Sequence, residues 1–462
     1  MSDAFQFPKA AFKAYDIRGI VPEELNPDFA RLLGRGLAAQ ARAEGVAAMV
    51  VGRDGRISSP TLSAALQQGM RDGGIDSIDV GQVPTPLVYF AAYTLKTGSG
   101  VAVTGSHNPP NYNGFKMMMA GRTLHGAGIA ALRDAILAGP VLPAAPGRAS
   151  EVDILTPYLA RVVSDIKLSR PMKIAVDCGN GVAGAVAPQL FRSLGCEVTE
   201  LFCEVDGTFP NHHPDPADPH NLEDLIRCVQ STDCEIGIAF DGDGDRLGVV
   251  TKSGEIIWPD RQLILYARDV LSRCPGETII YDVKCSRHVA VEIRKAGGVP
   301  LMCQTGHSLI KAKLAETGAP LAGEMSGHTF FKERWYGFDD GLYTGARLLE
   351  ILSRSANASA VLEALPQGVS TPELKIEMKE GEPHAVIERL QREAKFAGST
   401  ELITIDGVRA EYADGFGLAR ASNTTPVIVL RFEGDTPEAL ARIQDAFRTE
   451  IKLLAPHAHL PF

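Results

Sequence analysis

No run of about 18 consecutive apolar residues occurs in the sequence, so a membrane-spanning helix is not expected. The N-terminus, MSDAFQFPKA, lacks the basic and then apolar layout of a secretory signal, and we expect a cytoplasmic protein. The eight cysteines form no C-x-x-C pair, which argues against a zinc site and favours free thiols. Positive charge is scarce as well. With 46 Lys and Arg against 56 Asp and Glu, the net charge of −10 argues against nucleic-acid or anionic-membrane partners.

The 462 residues suffice for about three or four domains, and one supersecondary pattern recurs three times. Each copy is an apolar strand followed by Asp, a helix-period segment stopped by Gly, and a second apolar strand. The copies begin at AAMVVGRDGR, KIAVDCGNG and ETIIYDVKCS, and their aspartates are Asp54, Asp177 and Asp282. Strands that alternate with helices are typical of βαβ units, so we predict three related α/β domains.

The last 95 residues have a different pattern, with successive strands and D-G turns at Asp406-Gly407 and Asp414-Gly415. A closing helix has Thr436 as its predicted N-cap and Pro437 at its first position. We therefore predict a C-terminal α+β domain. The predicted domains are residues 1–152, 153–255, 256–367 and 368–462, and the first boundary follows the linker-like segment GPVLPAAPGRAS.

Ser106 lies on the turn-rich loop TGSHNPPNYNGFK, directly after the apolar run Val101-Ala102-Val103. Side chains at such a position project from the carboxyl edge of a sheet, where α/β folds usually bind ligands. A serine there can carry a covalent intermediate if a base or a metal activates it. A serine on such a loop is more often an ordinary turn residue, and His107 need not face the same way as its neighbour.

The segment IGIAFDGDGDRLGVV places Asp241, Asp243 and Asp245 at alternate positions between two apolar strands. Three carboxylates held so close need a cation, and their hard oxygens suit Mg²⁺ or Ca²⁺. An EF-hand is excluded, because Arg246 and Lys252 stand where that motif requires Gly and Glu. A phosphate oxygen can complete the coordination of such a cation, and Arg246 is placed to bind the same phosphate.

Two further loops carry polar side chains suited to a phosphorylated sugar. In GEMSGH, residues Glu324, Ser326 and His328 alternate, so an extended loop would point all three to one side, towards sugar hydroxyls. In RASNTTP, from Arg420 to Pro426, an arginine, polar side chains and backbone N–H groups can form an anion nest. Each loop alone also fits an ordinary polar turn.

A competing motif lies in KIAVDCGNGVAG, where Gly179, Gly181 and Gly184 form G-x-G-x-x-G after a strand. Glu200 follows about 20 residues on, as in a dinucleotide-binding fingerprint, and this supports an NAD-dependent oxidoreductase as the alternative. The first and third repeats lack the motif, and close helix–strand packing also explains the glycines. A non-catalytic, Ca²⁺-stabilised sugar-binding protein is the third hypothesis.

The order of these loops resembles the α-D-phosphohexomutase family. The resemblance spans nearly the whole chain and is carried by AFKAYDIRG, TGSHNPPNYNGFK, DGDGDR, GEMSGHTFFKERW and RASNTTP. It implies an α/β protein with four domains around a central cleft, three of them topologically similar. It also implies an isomerase that interconverts hexose 1-phosphate and hexose 6-phosphate. GEMSGH together with RASNTTP is similar to members that accept both mannose and glucose.

The resemblance further implies the roles of individual residues. Ser106 would be a phosphoserine that shares one Mg²⁺ with Asp241, Asp243 and Asp245. A hexose 1,6-bisphosphate would be intermediate and activator, and would turn over within the cleft. Lys116 and His307 are favoured for proton transfer, with His107 and Arg246 as further candidates. A lysine base would need a pKa lowered by neighbouring cations.

The substrate-binding set implied by the resemblance draws on the N-terminal segment, on the loops GEMSGH and RASNTTP, and on positions 284 and 305–307. It comprises Tyr15, Arg18, Lys284, Thr305, Gly306, His307, Glu324, Ser326, His328, Arg420, Ser422, Asn423 and Thr424. The expected partners are small phosphosugars, and the family resemblance implies a monomer.

Overall fold

The structure is a computed structural model that describes residues 7–139, 142–143, 145–379, 381–423 and 425–462. Within these ranges the chain forms four β-sheets in succession, and helices pack against each of them. None of the helices in the described part of the chain is both long and apolar enough to cross a membrane. All eight cysteines are free thiols, as expected.

The first domain contains a seven-stranded sheet and four helices. Its strands are β1 (Ile17–Ile20), β2 (Ala48–Arg53), β3 (Asp76–Gln82), β4 (Gly100–Val103), β5 (Tyr112–Met119), β6 (Arg122–Thr123) and β7 (Ala149–Glu151). Its helices are α1 (Pro27–Ala43), α2 (Ser59–Asp72), α3 (Thr85–Thr94) and α4 (Ala127–Leu137). β7 pairs with β3, so the end of the segment predicted as a linker returns to this sheet. Pro140, Val141 and Ala144 of that segment lie outside the described residues.

The second and third domains each contain a four-stranded sheet. The second domain has α5 (Leu155–Asp165), β8 (Lys173–Asp177), α6 (Ala187–Ser193), β9 (Glu197–Leu201), α7 (Glu223–Ser231), β10 (Ile236–Phe240) and β11 (Leu247–Thr251). The third has α8 (Pro259–Leu271), β12 (Thr278–Asp282), α9 (Arg287–Lys295), β13 (Val299–Cys303), α10 (His307–Thr317), β14 (Leu321–Gly323), β15 (Thr329–Phe331), α11 (Gly341–Leu352) and α12 (Ala358–Glu363).

One strand order is shared by the first three domains. It reads β5-β4-β2-β3 in the first, β11-β10-β8-β9 in the second and β15-β14-β12-β13 in the third. In every copy the first three strands along the chain are parallel, and the fourth returns antiparallel. The central strands are buried along most of their length, which explains their continuous apolar sequence. The prediction of three related α/β domains is confirmed.

The fourth domain is the predicted α+β unit. It contains β16 (Val369–Ser370), β17 (Leu374–Glu377), α13 (Glu382–Glu393), β18 (Glu401–Ile403), β19 (Val408–Tyr412), β20 (Gly415–Ala421), β21 (Val427–Gly434) and α14 (Pro437–Leu454). Its strand pairs are antiparallel, and the Thr436 side chain caps α14 as predicted. One predicted turn is shifted: Gly415 already pairs with Tyr412, so the turn lies at Ala413-Asp414.

The hydrophobic core shows how the domains are joined. One cluster runs continuously through the first three domains and includes Leu87, Phe191 and Leu342. The fourth domain has its own cluster around Leu430 and Phe447. A small cluster of Val283, Phe416 and Leu418 connects the third domain to the fourth. The four domains surround a central cleft that is lined by polar loops from each of them.

Candidate active site

Three of the four loops singled out in the sequence occupy the same topological position. Each joins the third strand of the shared four-strand unit to its antiparallel fourth strand: residues 104–111 between β4 and β5, 241–246 between β10 and β11, and 324–328 between β14 and β15. All three therefore leave the carboxyl end of a parallel strand, the edge at which α/β sheets bind ligands. The fourth loop joins β20 to β21 and completes the cleft.

The aspartate that follows or ends the first strand of each repeat stabilises a loop at this edge. Asp54, Asp177 and Asp282 are at most 4% exposed, and each accepts hydrogen bonds from loop residues. The donors include Thr104 and Gly105 for Asp54, Gly179 and His212 for Asp177, and Thr305 and Met325 for Asp282. The recurrent Asp therefore has a structural role at the same place in all three domains.

Ser106 lies directly beside the acidic loop of the second domain. It is 3% exposed, and its Oγ is 3.2 Å from Asp241 Oδ2 and 3.1 Å from His107 Nδ1. Its φ of +49° is in the left-handed region, which a non-glycine residue adopts at an energetic cost. The sequence left the direction of His107 open, and the structure turns its ring towards the serine hydroxyl.

Asp241, Asp243 and Asp245 are fully buried, and one oxygen from each lies within 4.8 Å of the others. Lys116 Nζ contacts Asp243 Oδ2 at 2.8 Å and Asp245 Oδ2 at 2.5 Å, while Arg246 Nε contacts Asp241 Oδ2 at 3.0 Å. Asp243 Oδ1 and Asp245 Oδ1 are buried without a hydrogen-bond partner in the described part of the chain. Orphaned carboxylate oxygens with a negative balance fit a hard divalent cation.

The electrostatics of Lys116 differ from the prediction. Burial lowers its pKa, but the carboxylates of Asp243 and Asp245 outweigh burial and hold the pKa well above its usual value. The expected lowering by neighbouring cations is therefore wrong, because the nearest charges are anionic. Burial also raises the pKa of Asp241 and of Asp245 to about 7.

Arg246 is the last residue of the acidic loop. Its Nη1 is 3.2 Å from Asp215 Oδ1, and its Nε bonds Asp241. Its Nη2 is buried and has no hydrogen-bond partner among the described residues. A buried guanidinium with one unused N–H face suits an anionic ligand, in agreement with the phosphate contact expected from the sequence.

His307 and His328 come together around one carboxylate, that of Asp339. Asp339 Oδ2 is 3.4 Å from His307 Nδ1 and 3.2 Å from His328 Nδ1, and the two rings stack at 5.4 Å. Lys311 Nζ contacts Asp339 Oδ1 at 2.8 Å. Burial, followed by the charge of Lys311, lowers the pKa of His307 to about 3. His307 is therefore neutral at physiological pH and able to accept a proton.

The GEMSGH loop differs in shape from the prediction. It is a tight hairpin turn instead of an extended segment, because β14 and β15 pair directly and the Glu324 N–H donates to the His328 carbonyl at 2.9 Å. Ser326 is half-buried at the turn. Glu324 Oε1 accepts from the Gly306 N–H at 2.6 Å, whereas Oε2 is buried without a hydrogen-bond partner in the described ranges. Burial raises the pKa of Glu324 to about 7.

The fourth-domain loop contacts both the first and the third domain. Asp406 Oδ2 accepts from Arg420 Nε at 2.9 Å and from the Thr305 N–H at 3.0 Å. Tyr15 donates to the Thr305 carbonyl at 3.0 Å, and the Asn423 amide donates to the Tyr15 hydroxyl. These contacts bring the N-terminal segment, the third domain and the phosphate loop to one point.

The remaining predicted residues also have defined places. Lys284 pairs with Glu373 of the fourth domain at 2.6 Å, and Arg18 donates to Asn108 on the serine loop at 2.5 Å. The Ser422 hydroxyl accepts hydrogen bonds from Thr425 within the RASNTTP turn. Thr424 lies outside the described residues.

The glycines of the competing dinucleotide motif are explained by packing. A Cβ at Gly184 would lie 2.0 Å from the Cys203 carbonyl oxygen, and one at Gly181 would lie 2.9 Å from the Gly242 carbonyl oxygen. Glu200, the expected ribose ligand, pairs with Arg192 at 2.7 Å. These contacts correspond to the close-packing explanation of the motif.

Several residues at the site were missed from the sequence: Arg56, Thr85, Lys311, Asp339 and Asp406. Thr85 begins α3 and donates to Asp243 Oδ2 at 2.5 Å. A signal existed for it, since VPTP follows a strand directly, and for Asp339, which lies beside the N-cap in FDDG. Arg56 and Lys311 lie on a loop and a helix with no such signal.

Comparison with known proteins matches all four domains to one family. The matches are to phosphoglucomutase/phosphomannomutase alpha/beta/alpha domain I over residues 9–139, domain II over 156–254 and domain III over 258–369. The C-terminal domain of the same family matches residues 373–450.

Relatives match along nearly the full length. A phosphoglucomutase of Neisseria gonorrhoeae is 58% identical and covers 96% of both chains. A phosphomannomutase/phosphoglucomutase of Pseudomonas putida is 54% identical and covers 98% of both. A solved phosphoglucomutase/phosphomannomutase family protein of Burkholderia thailandensis is 57% identical, covers 99% of this chain and 100% of its own, and has a TM-score of 0.94. The chain therefore belongs to the phosphoglucomutase/phosphomannomutase family, the α-D-phosphohexomutases.

Proposed function

We propose that this phosphohexomutase interconverts the 1-phosphates and 6-phosphates of both mannose and glucose, with Ser106 as the phosphoryl carrier. One observation carries the proposal: the Ser106 hydroxyl lies 3.2 Å from Asp241 within a group of three buried carboxylates. A phosphoryl group on Ser106 would enter a space bordered by the unused N–H face of Arg246. The names of relatives that act on glucose and mannose phosphates support the substrate class.

Asp241, Asp243 and Asp245, together with phosphorylated Ser106, are the residues that would hold one Mg²⁺. When bound there, Mg²⁺ supplies charge neutralisation for a phosphoryl group that leaves or joins the serine. Lys116 and Arg246 border the same carboxylates, so the protein itself contributes two fixed positive charges to that space. These charges favour the binding of the phosphoryl oxygens.

In the proposed reaction, the free hydroxyl of a hexose monophosphate attacks the phosphorus of phosphoserine. The P–Oγ bond breaks, the hydroxyl proton is lost, and Ser106 regains a proton at Oγ. The product is a hexose 1,6-bisphosphate, which reorients and returns its other phosphate to the serine. We assign proton transfer to His307 and Lys116, and His107 and Arg246 are further candidates for this role. Burial and Lys311 lower the pKa of His307 to about 3, which leaves its ring unprotonated but makes it a weak base.

Reorientation requires one fixed phosphate site and a sugar site that accepts both orientations. We assign the phosphate site to Arg420, Ser422, Asn423 and Thr424, with Lys284 and Tyr15 around it, and we assign Arg18, beside the serine loop, to substrate binding in the cleft. We assign the sugar site to Glu324, whose unused Oε2 can accept from two neighbouring hydroxyls, with Ser326, His328, Thr305 and Gly306. If O2 is not contacted, both epimers fit. A structure with a short hydrogen bond to O2 of one epimer only would contradict this assignment.

Intact-mass measurement and a coupled assay test the proposal. The purified protein should carry about one phosphoryl group per chain, which Ser106→Ala should lose and the surface control Ser164→Ala should keep. Mannose 1-phosphate and glucose 1-phosphate should both turn over, with dependence on Mg²⁺ and stimulation by the hexose bisphosphate. An unphosphorylated but active protein, or a fully active Ser106→Ala variant, would refute the phosphoserine. We also propose a cytoplasmic monomer.

A further inference from the structure

Arg56 has no role in the function described so far, yet every hydrogen-bond donor of its side chain has a partner. The guanidinium is fully buried, and all five of its N–H groups donate to acceptors at hydrogen-bond distance. The acceptors are Asp54 Oδ2 (3.2 Å) and the carbonyls of Ser106 (2.8 Å), Asn108 (2.6 Å), Pro109 (2.6 Å) and Tyr112 (2.9 Å). The ring of Phe209, from the second domain, covers the group at 5.1 Å.

Three of the five acceptors belong to the loop that carries Ser106, and a fourth, Tyr112, begins β5 directly after that loop. A buried guanidinium is costly unless each donor is bonded, and here the donors match four carbonyls between residues 106 and 112. Those carbonyls are therefore held towards Arg56. If they were free to rotate, their oxygens would be available to the cleft, where a phosphorylated serine is anionic.

The backbone of Ser106 is fixed on both sides. Its carbonyl accepts from Arg56, and its N–H donates to Thr104 Oγ1 at 2.8 Å. The Thr104 hydroxyl in turn donates to Asp54 Oδ2 at 2.8 Å, and Asp54 pairs with Arg56. This closed ring of contacts stabilises the left-handed φ of Ser106 and thereby sets the direction of its Cα–Cβ bond.

We propose that Arg56 is a positioning residue for phosphoryl transfer, which keeps the Ser106 hydroxyl aimed at the acidic loop. This inference rests on the proposed function of Ser106. Among the described residues, the side-chain hydrogen bonds of Arg56 go to Asp54 and to residues 106–112 and not to the sugar or phosphate loop, so its loss should affect kcat and leave substrate binding largely intact. A misplacement of the reacting group by about 1 Å costs about 100-fold in rate.

The test compares Arg56→Lys with Arg347→Lys in the full-length enzyme with Mg²⁺ and hexose bisphosphate. Lysine keeps the charge but has three donors that cannot match five acceptors. Arg347 is equally buried and pairs with Asp269 and Glu333, remote from the serine loop. We expect kcat to fall about 100-fold for Arg56→Lys with KM within about threefold, and kcat to stay within about threefold for Arg347→Lys.

A second pair of variants keeps the test decisive if Arg56→Lys does not fold. Thr104→Val removes only the hydroxyl that joins the Ser106 N–H to Asp54, and Thr104→Ser retains it. We expect Thr104→Val to lose kcat at unchanged KM and Thr104→Ser to recover most of it. The reference is wild-type enzyme that carries phosphate on Ser106. If Thr104→Val and any folded Arg56→Lys variant have the kcat of this reference, the inference about Arg56 is wrong while the proposed function stands. Turnover by wild type without phosphate on Ser106 overturns it together with the proposed function.

Discussion

Removal of the ammonium group of Lys116 should strengthen Mg²⁺ binding. Lys116 Nζ lies 2.8 Å from Asp243 Oδ2 and 2.5 Å from Asp245 Oδ2, so it shares its carboxylates with the proposed cation. We expect Lys116→Met to bind Mg²⁺ more tightly than the parent when both proteins also carry Ser106→Ala. That second change removes any phosphoserine, whose charge would obscure the comparison.

The magnitude follows from the charges and the burial. Two unit charges about 4 Å apart interact by about 1 kcal/mol in water and about 4 kcal/mol at an effective dielectric constant of about 20. A dication doubles this repulsion, to about 2–8 kcal/mol. Lys116 and its partners are at most 3% exposed, but a lysine side chain can move away from the ion. We therefore take the lower end, about 2 kcal/mol, which corresponds to a Kd about 30-fold lower.

Calorimetric titration with Mg²⁺ measures this ratio directly. Lys311→Met, in the same Ser106→Ala background, is the matched control because it removes a buried ammonium that pairs with Asp339 instead of the acidic loop. Its Kd should fall by a clearly smaller factor than that of the Lys116 variant, since Lys311 bonds none of the three proposed ligands. Equal or weaker Mg²⁺ binding by the Lys116 variant would refute the reasoning, because the ammonium and the cation would then not compete.

Three further predictions concern the sugar loop, the histidine pair and the glycine motif. Because burial raises the pKa of Glu324 to about 7, it loses its proton as pH rises through that value, and kcat/KM relative to Glu324→Gln should rise from about pH 6 to about pH 8. Titration of the substrate phosphate cancels in this ratio, because both proteins use the same substrate. A ratio that does not change with pH would contradict the prediction. Asp339→Asn should lower kcat by about 10–100-fold, because an amide has one oxygen and cannot present an acceptor both to Lys311 and to the two histidines. The cap variant Asp340→Asn should keep its activity, and steady-state kinetics would show equal loss in both variants if only packing mattered. Gly184→Ala should lower the free energy of unfolding by about 1–3 kcal/mol, measured by thermal unfolding, because its Cβ would clash with a carbonyl oxygen. The unchanged protein should give no NADH fluorescence response. A variant of unchanged stability, together with NADH binding by the parent, would contradict the packing explanation.

The sequence predicted well those features that depend on short stretches of chain. The apolar runs before Asp54, Asp177 and Asp282 are strands because their side chains are buried between helix layers. The alternation of Asp and Gly after β10 predicted a tight acidic loop, since nearby residues alone determine its shape. The cap at Thr436 was predictable for the same reason.

Features that depend on the pairing of separate segments of the chain were not predictable. Lys116 meets Asp243 and Asp245 across more than a hundred residues of chain, and no local pattern records which charge approaches it, so its pKa was assigned in the wrong direction. The shape of GEMSGH was wrong because an extended segment was assumed, whereas the pairing of β14 with β15 requires a turn. Arg56 was missed because four of its five partners are carbonyl groups, which every sequence contains.

The shared strand order of the first three domains has a consequence for how such a protein can change. Each of these domains presents the loop before its antiparallel strand to the cleft, on a sheet whose strand order is the same in all three. Tandem duplication of one ancestral domain would yield three equivalent loops. Each loop could then change separately, one towards the proposed serine, one towards the acidic loop and one towards the proposed sugar site. If residues 324–328 bind the sugar as proposed, substitutions there could change the preferred sugar while the loops of the first two domains keep their own sequences.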